Sequence, residues 1–306
     1  MIIAVFPGQG SQTPGFLSPW LEIDGARERL AEASEHAGVD LLAAGTEWDA
    51  DRIRDTSVAQ PLIVAASLLS WGVLRDRAGQ GADGVAGHSV GEFAALAASG
   101  VLSEADALRL VGIRGRAMAE AAATVETGMS AVVGGDEQTV LDRLAELGLT
   151  PANYNGGGQI VAAGETSALA ELAAEAPRGS RVIPLQVAGA FHTRFMEPAV
   201  ETLRAAAADV TASAPQTTLW TNSDGSVVED GRRAVDLVVS QVASPVRWDR
   251  NMASFAEHGV TGIIELAPAG ALTGLAKRAL RGTPTVAVKT PDDLDAAVAL
   301  LKGEQA

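Results

Sequence analysis

Residues 86–96 read AGHSVGEFAAL, with Ser89 between Gly87 and Gly91. The G-x-S-x-G spacing is that of a nucleophile elbow, a sharp strand-to-helix turn that exposes a serine Oγ. The flanks supply that setting. DGVAGH in front reads as a short strand, and VGEFAALAASG behind reads as a small-residue helix stopping at Gly100. Ser89 would then stand at a helix N-terminus, where unpaired amides favour negative charge, and the Val90 amide could hold an oxyanion formed on a substrate carbonyl. The same residue would also serve as an N-cap in a tight turn, and the motif alone leaves both readings open.

A serine nucleophile needs a base. The chain has four histidines. His36 and His258 each sit near a helix end before a glycine, which suits the helix dipole. His88 adjoins Ser89 and would diverge from it around the turn, packing under the elbow. His192, in AGAFHTRFMEPA, falls in a loop between a strand and a helix, where catalytic groups concentrate. Hydrolases with this elbow run in the order Ser, acid, His. No carboxylate at a strand end stands out between Ser89 and His192, so a Ser–His dyad oriented by a neutral group fits better than a triad.

A third chemical residue is Arg114, in the helical run SEADALRLVGIRGRAMAEAAA. Ala107, Leu110, Val111, Ala117 and Met118 share its face, so it projects from the apolar side. Arg109 and Arg116 lie on another face, with Arg116 spaced to pair with Glu120. A guanidinium on an apolar face needs an anion. That anion is either an internal carboxylate or the carboxylate of a substrate held bidentately.

The elements that must position these residues alternate between strand and helix. IIAVF (2–6), QPLIVAASLLSWGVLRDR (60–77), GVAGH (84–88) and a helix opened by Ser103 and Asp106 predict an α/β fold with a largely parallel sheet. Residues 127–186 change character and read β-α-β-β-α-β, the ferredoxin-like pattern. They are expected to form a small subdomain inserted into a large domain of residues 1–126 and 187–306. In the latter, helices are expected at 193–208, 231–242, 249–258, 270–280 and 291–302, with strands at 217–222, 262–266 and 285–289.

The 306 residues are enough for a sizeable core, and 47% are hydrophobic but only 4% aromatic, so that core is built from Ala, Val, Leu and Ile. With no cysteine, disulfide and thiolate chemistry are excluded. The formal net charge of −15 makes nucleic acid and anionic membranes poor partners. No stretch reads as a membrane span or a signal peptide, and the expected compartment is the cytoplasm.

FPGQGSQ at 6–12, GHSVGE at 87–92, GIRGRAM at 112–118, N-x-N with GQIVAAG at 153–164, GAFH at 189–192 and SPVRW at 244–248 together resemble malonyl-CoA:acyl-carrier-protein transacylase, in order and over essentially the whole chain. The resemblance implies an α/β-hydrolase-like large domain with a ferredoxin-like insertion. It implies a discrete enzyme that moves a malonyl group from CoA to the phosphopantetheine thiol of acyl carrier protein through a ping-pong serine ester, with no metal or bound cofactor. Ser89 would be the nucleophile, His192 the base and Arg114 the ligand of the malonyl carboxylate. The amides of Gln9 and Val90 would form the oxyanion hole, and the main-chain carbonyl of Gln241 would orient the histidine. Asn155 and Gln159 match polar positions near the cleft. Phe191 matches a position where phenylalanine goes with malonyl rather than methylmalonyl selectivity. Ala267-Pro268-Ala269 departs from the Gly-Pro-Gly of many members. Lys277, Arg278 and Arg281, with Arg178 and Arg181, are the expected basic patch for an acidic carrier protein. The chain is expected to act as a monomer. A serine acyl hydrolase and a non-catalytic carrier-binding module are the alternatives, and the residues do not choose between fatty-acid and polyketide synthesis.

Overall fold

The computed structural model describes residues 1–304. Nine strands are present among them: β1 (Ile2–Phe6), β2 (Gly84–Gly87), β3 (Thr127–Gly134), β4 (Thr150–Gly156), β5 (Gln159–Glu165), β6 (Ser180–Pro184), β7 (Thr218–Trp220), β8 (Gly262–Glu265) and β9 (Thr285–Ala287). They form two sheets. The first runs β7-β2-β1-β8-β9 with every pair parallel. The second runs β4-β5-β3-β6 with every pair antiparallel.

The parallel sheet is covered on both faces, as continuous apolar strands such as IIAVF require. Ala4 and Phe6 join the main core, while Ile3 and Val5 face a second cluster built around Trp220, Trp248 and Phe255. The antiparallel sheet divides its side chains by the period of two. Met129 and Ala131 of β3 pack into the main core, and Val132 packs with Val140, Leu144 and Leu172 of the sheet's own helices. The antiparallel sheet is tied by main chain to the segment that leads into the helix Trp248–Glu257. The amide of Tyr154 in β4 donates to the Val246 carbonyl at 2.9 Å, and the Val246 amide donates to the Ala152 carbonyl at 2.9 Å.

The helix Glu104–Ala122 carries Arg114. Ser103 caps it, accepting from the Asp106 amide. At Gly112 a Cβ would stand 2.3 Å from the Ala37 carbonyl oxygen, so glycine there lets the helix Ala26–Ala37 approach and bury this face. The helix Thr56–Ala78 packs beside it. By length and composition that helix could cross a membrane, contrary to the sequence reading, but 83% of its most apolar window is buried inside the protein. It is the central core helix.

Other differences from the expected elements are local. The helices Ala26–Ala37, Leu41–Thr46 and Ala50–Arg54 fill a region where no element was assigned. The expected helix 193–208 begins only at Glu197, after a 3₁₀ turn over Arg194–Met196 capped by Thr193, because Pro198 suits a first helical turn. Likewise a 3₁₀ turn over Pro291–Asp293 precedes the last helix, Leu294–Leu301. Arg116 donates to the Ala37 carbonyl at 2.9 Å instead of pairing with Glu120.

Candidate active site

At the end of β2 the chain turns through His88 and Ser89 into the helix Gly91–Ala98. Ser89 has φ +52°, a left-handed conformation that is rare for a residue with a side chain. The turn is possible only with glycine on both sides. A Cβ on Gly87 would lie 2.0 Å from the carbonyl carbon of Gly91, and one on Gly91 would lie 2.2 Å from the Phe6 carbonyl oxygen. The strained serine is held from behind by Asn222. Its Oδ1 accepts from the Ser89 amide at 2.7 Å, and its Nδ2 donates to the Gly87 carbonyl at 2.7 Å.

His192 comes from the loop after β6 and is, among the described residues, the other non-glycine residue with a left-handed backbone, φ +61°. Its Nε2 lies 2.7 Å from Ser89 Oγ, and its Nδ1 lies 2.8 Å from the Gln241 carbonyl oxygen. A carbonyl only accepts, so Nδ1 carries the proton and Nε2 is free to take the serine hydroxyl's proton. Burial, reinforced by the nearby charge of Arg114, pushes the imidazole pKa down to about 3. The ring is therefore neutral at physiological pH.

Arg114 lies behind the serine and is 1% exposed. Its Nη1 donates to Gln60 Oε1 at 2.6 Å and its Nη2 to Gln241 Oε1 at 3.0 Å, while Nη2 also reaches 3.4 Å from Ser89 Oγ. No carboxylate makes an ion pair with it among the described residues, and its Nε has no partner. Burial lowers its pKa to about 10, with the charge of Glu92 acting the other way. The internal ion pair considered from the sequence is thus not formed. Two neutral amide oxygens hold a desolvated cation instead, beside the serine.

In front of Ser89 a cleft of about 1110 Å³, including its open mouth, runs between the two sheets. Gln9 stands in one wall and Phe191 in another. The amides of Gln9 and Val90 are in no hydrogen bond among the described residues, which leaves both donors available. Asn155 and Gln159 line the far side. Asn155 Oδ1 accepts from His88 Nε2 at 2.9 Å, and Asn155 Nδ2 donates to Gln159 Oε1 at 2.9 Å. His88 thus lines the cleft while its ring packs edge-on against Trp248 of the second core cluster, 5.6 Å between centroids. Arg278 reaches the rim; Lys277 and Arg281 are exposed near it, and Arg178 and Arg181 are exposed at the edge strand β6. Among the described residues no cluster of three His, Asp or Glu could hold a metal ion.

Four residues of this site carried no assignment from sequence. Gln60, Asn222 and Asn251, whose Oδ1 accepts from Asn222 Nδ2 at 3.2 Å, are polar residues inside otherwise apolar or turn-like runs, with no spacing signal. Glu92 lies within GHSVGE, and a charged residue in the first turn of a small-residue helix was its only signal.

An oriented, neutral Ser–His pair, free amides beside the serine and a desolvated guanidinium can together transfer an acyl group that carries a carboxylate. Comparisons with known proteins agree. Residues 3–301 match the acyl transferase domain family. The malonyl CoA-acyl carrier protein transacylase of Mycobacterium tuberculosis is 53% identical over 298 residues, covering 96% of this chain and 98% of that protein. That of Escherichia coli K12 is 34% identical, covering 97% and 98%. The crystal structure of MCAT from Mycobacterium tuberculosis superposes with a TM-score of 0.94 at 52% identity, covering 97% of this chain and all of that one. A malonyl-transacylase solved in complex with a type II PKS acyl-carrier protein superposes at 0.92 with 31% identity, covering 98% and 99%. The chain belongs to the malonyl-CoA:acyl-carrier-protein transacylase family of acyl transferases.

Proposed function

We propose that this protein moves a malonyl group from CoA to the phosphopantetheine thiol of an acyl carrier protein, through an ester on Ser89. The observation that carries the reading is the line from Ser89 Oγ through His192 to the Gln241 carbonyl, with the unpaired Arg114 guanidinium 3.4 Å from the same Oγ.

The steps follow from that geometry. Ser89 Oγ attacks the thioester carbonyl and gives its proton to His192 Nε2. The amides of Gln9 and Val90 receive the oxyanion. The tetrahedral species expels the CoA sulfur, which takes the proton from His192, and malonyl-serine remains. The carrier thiol then enters, gives its proton to the same Nε2 and attacks the ester. Ser89 Oγ leaves and recovers the proton. Arg114 binds the malonyl carboxylate throughout, and Asn155 and Gln159 line the path of the arm. Phe191 beside the α-carbon favours malonyl over methylmalonyl. These steps use no bound cofactor or metal.

We further infer that residues 127–186 form a ferredoxin-like unit inserted into an α/β-hydrolase-like frame of residues 1–126 and 187–306. The strand order β4-β5-β3-β6 and the parallel order β7-β2-β1-β8-β9 support this. The net charge of −15 supports a cytoplasmic monomer that engages neither membranes nor nucleic acid. For its acidic partner two exposed basic clusters, Lys277, Arg278 and Arg281 near the cleft rim and Arg178 and Arg181 at β6, are the docking surface. The reading serves fatty-acid and polyketide synthesis alike.

Incubation with malonyl-labelled CoA tests the reading. Label should appear on Ser89 and pass to carrier protein on addition, and Ser89→Ala should take none. Release of free malonate without stable label would indicate a hydrolase, and no reaction at all a binding module.

A further inference from the structure

Glu92 is a buried carboxylate that the proposed steps do not use. It is 6% exposed, in the first turn of the helix that begins at the elbow. Both of its oxygens accept from N–H donors. Oε1 accepts from the Asn222 main-chain amide at 2.8 Å, and Oε2 accepts from Gln241 Nε2. The other end of the same Gln241 amide, Oε1, accepts from Arg114 Nη2. Hydrogen-bond polarity is therefore fixed along the line. The same Nε2 also donates to the Ser89 carbonyl at 3.2 Å and to Asn222 Oδ1 at 3.2 Å, so Glu92 is the charged one of its three acceptors. An arginine only donates and these oxygens only accept, so Gln241 stands in one orientation. In that orientation its oxygen turns the guanidinium toward Ser89.

We propose that Glu92 is a specificity-determining positioning residue: by orienting the Gln241 side chain it aims Arg114 at the acyl carboxylate. The inference rests on the reading that Arg114 binds that carboxylate. It differs from it in placing the control of Arg114 on a residue that does not touch substrate.

Replacing Glu92 by its isosteric amide breaks the line. Glu92→Gln brings one donor and one acceptor to a place where two donors converge. The Asn222 main-chain amide cannot turn round, so the new amide must point its oxygen there and its Nε2 at Gln241. Donor then meets donor at Gln241 Nε2, which is pushed toward its remaining acceptors, the Ser89 carbonyl and Asn222 Oδ1, and draws Oε1 away from Arg114 Nη2. The guanidinium loses its acceptor and its aim. The bonds that Asn222 makes to the Ser89 amide and the Gly87 carbonyl, and that His192 makes to the Gln241 carbonyl, do not involve the altered side chain.

Protonation of Glu92 in the unaltered protein has the same effect, because it makes one oxygen a donor. Burial raises its pKa to about 7, with the hydrogen bonds from Asn222, Thr221 and Gln241 and the charge of Arg114 acting the other way. The charged or titratable group facing it from the neighbouring helix is Arg114. His192 and His88, near the same serine, are held below their ordinary pKa by burial and stay neutral.

The test is kcat/KM for malonyl-CoA and for acetyl-CoA in the wild type, Glu92→Gln, Glu92→Asp and Arg114→Ala proteins. For Glu92→Gln the malonyl value should fall about tenfold or more, the effect of misplacing one charge-assisted hydrogen bond, with acetyl within about twofold. Glu92→Asp keeps the two acceptors and should keep a ratio near wild type. Parallel loss of both substrates in Glu92→Gln would mean a merely structural role and would overturn the proposal. Should that variant fail to fold, the wild-type malonyl-to-acetyl ratio decides: it should fall between pH 8 and pH 6, and a flat ratio overturns the proposal. Arg114→Ala separates the two levels. If its ratio shifts while that of Glu92→Gln does not, the inference alone fails. If its ratio does not shift, the role of Arg114 fails and the inference with it.

Discussion

Arg114→Ala is the perturbation whose consequences the structure determines most closely. In the free protein the guanidinium is dry, held by two amide oxygens and unpaired at Nε. Truncation leaves the malonyl carboxylate buried without a counter-charge, which costs roughly 3–5 kcal/mol. At about 1.4 kcal/mol per decade, malonyl transfer should fall roughly 10²- to 10³-fold or more. Acetyl has no carboxylate to lose and should transfer as well as before or better. Stability should change little. Gln60 Oε1 and Gln241 Oε1 each lose a donor, at roughly 1–3 kcal/mol apiece. Against this, the buried cation disappears, and its pKa of about 10 marks a desolvation cost of roughly 3 kcal/mol. The assay is kcat/KM for both acyl-CoAs, with Tm measured on the same sample. Parallel loss of both activities with a Tm lower by many degrees would refute the reasoning and make Arg114 a structural residue.

Other outcomes follow from the same geometry. His192 is neutral when folded, with a pKa near 3 against an ordinary 6.5, so it contributes stability above pH 6.5 that is lost as pH falls toward 3. His192→Gln should therefore raise Tm relative to wild type more at pH 5 than at pH 8; an equal difference at both would contradict the neutral imidazole. Gly87→Ala should abolish activity or folding, because its Cβ overlaps the Gly91 backbone, whereas Gly274→Ala, in the helix Ala271–Ala279 with open space around it, should gain about 0.5–1 kcal/mol in denaturant titration. Charge reversal at Arg178, Arg181, Lys277, Arg278 and Arg281 should raise KM for carrier protein and spare serine acylation by malonyl-CoA; an unchanged KM would remove the patch. Phe191→Ser should narrow the preference for malonyl over methylmalonyl, worth about 1–3 kcal/mol for one methyl group, as read from competing-substrate kinetics.

What could be read in the chain was what depends on near neighbours. The elbow is local, so its glycines and serine announced the turn, and the cap at Ser103 announced its helix. His192 and Arg114 were recognisable because a loop histidine and a charge on an apolar face conflict with their surroundings. The resemblance of whole motifs added Gln9, Phe191, Asn155, Gln159 and Gln241, all of which lie at the cleft or directly behind the serine. The network behind the nucleophile was not legible. Asn222 is 133 residues from the amide that it holds, and its partner Glu92 is 130 residues from it. Only folding brings them together. The role of Gln241 toward His192 is played by its carbonyl, which every residue has, so side-chain chemistry cannot flag it. The helices between residues 26 and 54 are short or weakly patterned, and their stability comes from packing on the main core.

The paired main-chain bonds between β4 and Val246 also govern how the cleft can admit its visitors. Any parting of β4 from the Val246 segment would break both of them. They hold the β4 wall of the cleft to the chain that follows Gln241. On the proposed function, CoA and the carrier protein are unlike in bulk but share one slender arm, and this cleft would receive the acyl donor and the acyl acceptor in turn. Between the two visits the proposed serine ester would sit in that cleft, and the wall that β4 and this segment form would set its lifetime against water.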